Sequence, residues 1–247
     1  MRITVAQMCR MRLWSWILVA TALLPITGPA KGAGDAQTVL CVGDSITEWK
    51  SSWVSLVRKA GELETINAGK GGRGTGAADE TFERALAAPP PFNRVVFFLG
   101  VNDLPSRNPM PAEKKVALCV ENMGRAIDQA LKTLPPKDVI LVAPCSVDAE
   151  TMRQPHASDP TMTARRERNL KKGYDACPPI LEQLEVAYQE LAREKGVPFL
   201  SLLRVVSKEN LPDGLHPNEA GQQQIAEALG PFLVQTWQPA PSVQKIP

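Results

Sequence analysis

The sequence predicts an α/β fold: three layers, α/β/α, with helices covering both faces of a central parallel sheet of about five strands. Three observations carry this. Short apolar runs alternate along the chain with stretches patterned for helices. The runs are nearly continuously apolar, as in Val95-Val-Phe-Phe-Leu99, which suits strands buried on both faces. Finally, 247 residues at 44% hydrophobic and 22% charged suffice for one large core and exclude an extended disordered chain.

Thr38 to Val42 reads as the first strand, with Gly43 and Asp44 as a turn and then a helical stretch holding Trp49, Trp53, Leu56 and Val57. Glu64 to Ala68 is the second strand. A glycine-rich loop, Gly69 to Gly76, leads into a helix over Ala77 to Ala88, which Pro89-Pro90-Pro91 closes because proline has no N–H to continue it. Arg94 to Leu99 is the third strand. From Glu113 to Leu134 the residues Val116, Val120, Met123, Ile127, Leu131 and Leu134 recur every three or four, the stripe of an amphipathic helix. Val139 to Ala143 and Val197 to Leu200 supply the last two strands, with a helix over Ile180 to Lys195 between them. A final helix runs from Asn218 to Thr236. One domain, 36–237, is expected, with a loose tail at 238–247. The polar stretch 147–179, rich in Arg, Lys and Pro, is too long for an ordinary connection and reads as an irregular insertion that shapes specificity.

Residues 1–30 carry Arg2, Arg10 and Arg12 ahead of the apolar run Leu13 to Leu24, and Gly28-Pro29-Ala30 offers small residues for a peptidase. This is the pattern of a secretory signal peptide, and the run is shorter than the roughly 20 residues of a spanning helix. A secreted or periplasmic chain with no stable membrane anchor after cleavage is therefore expected. Removing the segment leaves 25 basic side chains (28 less three) against 26 acidic. That balance offers no positive surface for gripping phosphates, so nucleic acid is not an expected partner. Cys41, Cys119, Cys145 and Cys177 remain. Cys41 and Cys119 read as buried thiols, while Cys145 and Cys177 flank the insertion and are either bridged or free.

In a parallel sheet of this kind ligands bind beyond the carboxyl ends of the strands. The segments found there are Gly43-Asp44-Ser45, Asn67 to Gly72 and Gly100-Val-Asn102-Asp103, with Asp213-Gly-Leu-His216-Pro217 on the same rim before the final helix. They supply a hydroxyl nucleophile, an imidazole base, a carboxylate to orient the base and donors for a developing oxyanion, the set that acyl transfer requires. With two histidines, His156 and His216, and no Cys-x-x-Cys or His-Glu-x-x-His, no metal and no cofactor are expected.

The Gly-Asp-Ser-Ile-Thr start, the Gly-x-Asn-Asp block and the Asp-Gly-Leu-His-Pro-Asn end resemble, in order and spacing, the blocks of the SGNH, or GDSL-type, esterases and lipases. The resemblance implies a flavodoxin-like α/β/α hydrolase fold, with Ser45 as nucleophile, His216 as base and Asp213 as its orienting acid. It also implies an oxyanion hole from the Ser45 and Gly72 N–H groups and the Asn102 amide. Many members carry Asp-Thr after the second block's glycine, whereas Gly72 is followed here by Arg73-Gly74-Thr75. Gly71 is thus the alternative donor, and Arg73 points either to solvent or toward an acidic substrate group. The implied function is a secreted serine ester hydrolase working through an acyl-enzyme on a small-molecule or saccharide ester, such as a short-chain ester or acetylated carbohydrate.

Two other classes compete. A non-catalytic carbohydrate-binding module could keep the fold without turnover. Gly69-x-Gly71-x-x-Gly74 also matches a dinucleotide fingerprint, but it follows the second strand and lacks an acid at the end of the next one. Of the other residues, Asp44 and Asp103 read as turn residues within the motifs, His156 as an exposed loop residue, and Arg165-Arg166-Glu167-Arg168 as a solvated helix face.

Overall fold

The computed structural model of the protein describes residues 37–61 and 63–237; the segment 1–30, read above as a signal peptide, and the tail 238–247 lie outside them. Five strands form a parallel sheet: β1 (Thr38–Gly43), β2 (Glu64–Gly69), β3 (Arg94–Phe98), β4 (Val139–Ala143) and β5 (Phe199–Ser201). Their spatial order is β2-β1-β3-β4-β5. Gly43 therefore lies level with Gly69 on one side and Phe98 on the other. The chain reverses its winding direction between β1 and β3, and a crevice opens at such a switch point.

The period-2 alternation of the strands builds two apolar layers. Leu40 and Val42 of β1, with Val95 and Phe97 of β3, pack against Phe82 of α3 (Ala78–Leu86), Met123 and Ile127 of α4 (Ala112–Ala130), and Leu184 and Tyr188 of α7 (Pro178–Lys195). On the opposite face Val39, Cys41, Val96 and Phe98 meet Trp53 and Val57 of α2 (Trp53–Lys59) and Ile225 and Leu229 of α8 (Glu219–Trp237). At the amino end of the sheet Arg94 is fully buried, 3.1 Å from Asp138 and 2.7 Å from Thr236 Oγ1, and so ties β3 to the end of α8. Among the described residues no helix is long and apolar enough to cross a membrane.

The architecture, the strands and the long helices agree with the sequence reading; two local expectations are corrected and one open alternative is resolved. First, the helical stretch around Trp49 and Trp53 is two helices, α1 (Ser45–Glu48) and α2, broken at Trp49 to Ser52. The break is held by Asn67, whose amide donates to Thr47 O at 2.7 Å, and by Gln222, which accepts the Trp53 N–H at 2.8 Å. Second, the insertion is mostly helical, as α5 (Ala149–Arg153) and α6 (Pro160–Lys172) followed by a 3₁₀ turn at Tyr174–Ala176. Asp148 and Asp159 cap these helices by accepting from first-turn N–H groups, and Gly173 ends α6 in the left-handed region. Third, Cys145 and Cys177 are free and buried on opposite faces of the sheet. Burial also pushes both thiols up.

Candidate active site

The site assembles where β1 and β3 end. Asp44, directly after β1, caps α1 by accepting the Ile46 N–H on Oδ1 at 2.9 Å. This holds Ser45 at the first position of a one-turn helix, its N–H free of any acceptor among the described residues. The Ser45 hydroxyl lies 3.0 Å from His216 Nε2. On the other side of the ring, His216 Nδ1 lies 2.8 Å from Asp213 Oδ2.

Asp213 is itself fixed. Its Oδ1 accepts the Leu215 and His216 N–H groups at 2.9 and 2.7 Å, so one carboxylate closes a turn and orients a ring. Although burial works against the charged form, the bonds from His216 and Leu215 hold its carboxyl down at about 2. The group therefore stays ionised at any pH where an imidazole accepts protons. Between the two residues Gly214 takes φ +77°, and a Cβ there would come 2.4 Å from Met152 Cγ. Only glycine fits that turn against α5.

The three expected oxyanion donors converge with the residues around them. A Cβ on Gly71 would come 4.0 Å from Ser45 Cβ, so the glycine loop lies beside Ser45. Gly71 N–H is already taken by Glu48 Oε2 at 2.9 Å, whereas Gly72 N–H has no acceptor among the described residues. That distinction favours Gly72 over Gly71. Asn102, just past β3, donates from Nδ2 to Arg73 O at 3.1 Å and to Asp44 Oδ2 at 3.2 Å. Its Oδ1 accepts from the Tyr174 hydroxyl, which determines the face its N–H groups present. Asp103 accepts from the Thr75 N–H and hydroxyl, at 3.0 to 3.2 Å, and clamps the glycine loop to the end of β3.

Arg73 takes neither direction expected of it. Its Nη1 donates to Gly43 O at 3.1 Å and to Ala68 O, bracing the carboxyl ends of β1 and β2 beneath the glycine loop. His156 organises its own turn, its Nδ1 accepting from the Asp159 N–H at 3.1 Å.

The sequence reading missed the contribution of the insertion. Asn169, 2% exposed, donates to Asp213 O at 3.1 Å. Arg166, read as a solvated residue, donates from Nε to Pro212 O at 2.8 Å, and Asp148 N–H reaches Gly214 O at 2.8 Å. Three successive carbonyls of the loop carrying Asp213 and His216 are thus held from behind by one segment, which also supplies Tyr174 to Asn102. These are bonds to main-chain oxygens 44 or more residues away, and they leave no local pattern. The Asp159-Pro160 start and Gly173 end of α6 were the only readable signal.

Asp44 provides a check on the site's electrostatics. Burial raises its carboxyl to about 6, against the lowering pull of the Ile46 N–H and His216. The folded protein thus binds that proton more tightly than the unfolded chain, and the wild type gains stability from it as pH falls from 7 to 5. Asp44→Asn lacks that gain. Thermal melts of both proteins are expected to show the wild-type Tm rising relative to the variant over this interval; a wild-type Tm that stays level or falls relative to the variant on acidification contradicts the buried charge.

The family model described as GDSL-like lipase/acylhydrolase matches residues 41–224. Among solved structures the chain is similar to Est24, a carbohydrate acetylesterase from Sinorhizobium meliloti, at 19% identity over 81% of this chain and 100% of that one, TM-score 0.61. It is likewise similar to the M. smegmatis aryl esterase (20% identity, 81% and 100%, TM-score 0.64) and to a lipase/acylhydrolase from Enterococcus faecalis (21% identity, 83% and 98%, TM-score 0.57). At these identities the likeness is one of fold. No curated protein matches the chain in sequence.

Proposed function

The chain belongs to the GDSL-like lipase/acylhydrolase family and is a carboxylic ester hydrolase, and from that premise we propose that Ser45 performs the reaction as a nucleophile through an acyl-enzyme. The observation that supports this best is the continuous line from Ser45 Oγ through His216 to Asp213, with contacts of 3.0 and 2.8 Å. A serine hydroxyl is a weak nucleophile at neutral pH, and His216 makes it competent by taking its proton as the bond to the ester carbonyl forms. Asp213 keeps the Nδ1–H tautomer, so that Nε2 faces Ser45 with its lone pair. The imidazolium then returns the proton to the leaving alcohol. In the second half-reaction His216 activates water against the acyl-serine, and the acid product leaves.

The tetrahedral oxygen accepts from Ser45 N–H, Gly72 N–H and Asn102 Nδ2. Asn102 is released readily, because its resting acceptors lie at 3.1 and 3.2 Å, longer than the ~2.7–2.9 Å of bonds to a charged oxygen. Tyr174 is the positioning residue for this donor, and burial raises its phenol to about 12, so it remains a donor. Removing a donor of this kind costs on the order of 10²–10³ in kcat. Asn102→Ala is expected to lose that much and Tyr174→Phe about tenfold, with KM little changed. In the double variant Tyr174→Phe should add nothing to the loss from Asn102→Ala; additive losses would make Tyr174 a purely structural residue.

The substrates proposed are short-chain esters, including acetylated carbohydrate, and the site of action is outside the cytoplasm, supported by the signal-like residues 1–30. The test uses protein recovered after export, with its amino terminus sequenced and its hydrolysis of nitrophenyl acetate, butyrate and octanoate compared. A start near Lys31 and acetate as the fastest substrate are expected. A folded protein that turns over none of the three overturns the assignment.

A further inference from the structure

Two tryptophans four residues apart have opposite fates. Trp53 is fully buried against Phe98, with ring centroids 6.2 Å apart. Trp49, where the chain leaves α1, is 45% exposed. A large aromatic surface left in water is the informative kind of exposure, and its location is specific. Trp49, Lys50 and Ser51 form one side of a hollow of about 440 Å³, and Asn218 and Glu219 form the other. That volume lies within the roughly 300–1,000 Å³ of small-molecule sites.

Both walls are tied to the reacting atoms. Trp49 follows Ser45 by one helical turn, and Asn218 follows His216 by two residues, while Ser45 and His216 themselves meet at 3.0 Å. The second wall belongs to the segment carrying His216, the group assigned above to protonate the departing oxygen, and that adjacency points to the leaving group as the hollow's occupant. Its lining is chiefly apolar, with the Trp49 indole as the one large flat surface, and Lys50, Ser51, Asn218 and Glu219 complete its walls. Asn218 spends its Oδ1 on the Gly221 N–H at 2.9 Å, and its NH₂ group has no partner among the described residues. Lys50 and Glu219 have no ion-pair partner among the described residues.

We propose that this hollow is the subsite for a saccharide leaving group, with Trp49 as its platform, a proposal that rests on the Ser45 reading above. The C–H face of a pyranose lies on the indole, and the ring hydroxyls reach Asn218, Glu219 and Lys50. A flat aryl group would stack equally well but use none of them.

The experiment measures acetate release from acetylated xylotriose, 4-nitrophenyl acetate and ethyl acetate by the wild type, Trp49→Ala and Trp49→Phe. Ethyl acetate has no ring to stack. The expected result is a preference for the saccharide, expressed as kcat/KM relative to ethyl acetate, that falls at least tenfold in Trp49→Ala, chiefly through KM, and is largely restored in Trp49→Phe. An unchanged ratio overturns the subsite while leaving the Ser45 mechanism standing. So does a fall confined to 4-nitrophenyl acetate, which would make the hollow an aryl site. Failure of the folded wild type to release acetate from any of the three overturns both.

Discussion

Ser45→Ala is expected to lower kcat on nitrophenyl acetate by about 10⁶-fold, the loss typical when a hydrolase loses the nucleophile of a unit that acts together. The substitution removes a single oxygen, half-buried and bonded to His216 Nε2, and no packing depends on it. The far-ultraviolet spectrum and Tm should therefore match the wild type. Covalent labelling by a fluorophosphonate should vanish in parallel, because the reagent needs the same activated hydroxyl. Activity within tenfold of the wild type, or labelling that persists at another residue, would remove Ser45 from the mechanism.

The second large effect is expected from Asp213→Asn, about 10⁴-fold in kcat, and it follows from the three bonds of this carboxylate. The Leu215 and His216 N–H groups both need an acceptor at the Oδ1 position, so the asparagine must turn its carbonyl oxygen toward them. Its NH₂ group then faces His216 Nδ1, and a donor there forces the ring proton onto Nε2, the nitrogen that must be bare to accept from Ser45. The ring stays in place with the wrong tautomer. The loss should fall on kcat, with substrate affinity retained. Asp213→Ala, which leaves the ring free to choose its tautomer but unheld, should share the loss in kcat and also melt earlier. A near-wild-type kcat in Asp213→Asn would show that the carboxylate serves only the turn.

How much of this was legible in the sequence depends on how local each feature is. The strands were readable because burial on both faces demands unbroken apolar runs. Ser45, Asp213 and His216 were readable because each sits in a short motif at the end of an element, where a turn and a reactive group coincide. The parts that were not readable act across the fold. Tyr174 on Asn102, Asn169 on the Asp213 carbonyl and Arg166 on the Pro212 carbonyl are single side chains in a polar stretch, and nothing in their spacing announces a partner. The insertion looked irregular because its helices are polar on most sides, with Leu170 and Met152 among their few apolar anchors. Arg73 misled for a related reason. A guanidinium beside a binding loop suggests a ligand, but this one is consumed by two main-chain carbonyls.

The bracing role of α5, α6 and the turn after them sets a boundary for anyone who wishes to re-engineer the protein. The insertion is the natural cassette to exchange when altering selectivity, since it interrupts the regular strand-helix alternation. Yet the cassette carries the struts of the machinery it borders. A transplanted replacement that lacks counterparts of Asn169, Arg166 and Tyr174 would be scored as a failed specificity change when it had in fact loosened the acid-base loop and the oxyanion amide. The positions open to design are the outward ones, Arg165, Glu167 and Arg168, whose side chains stand in solvent and support nothing behind them.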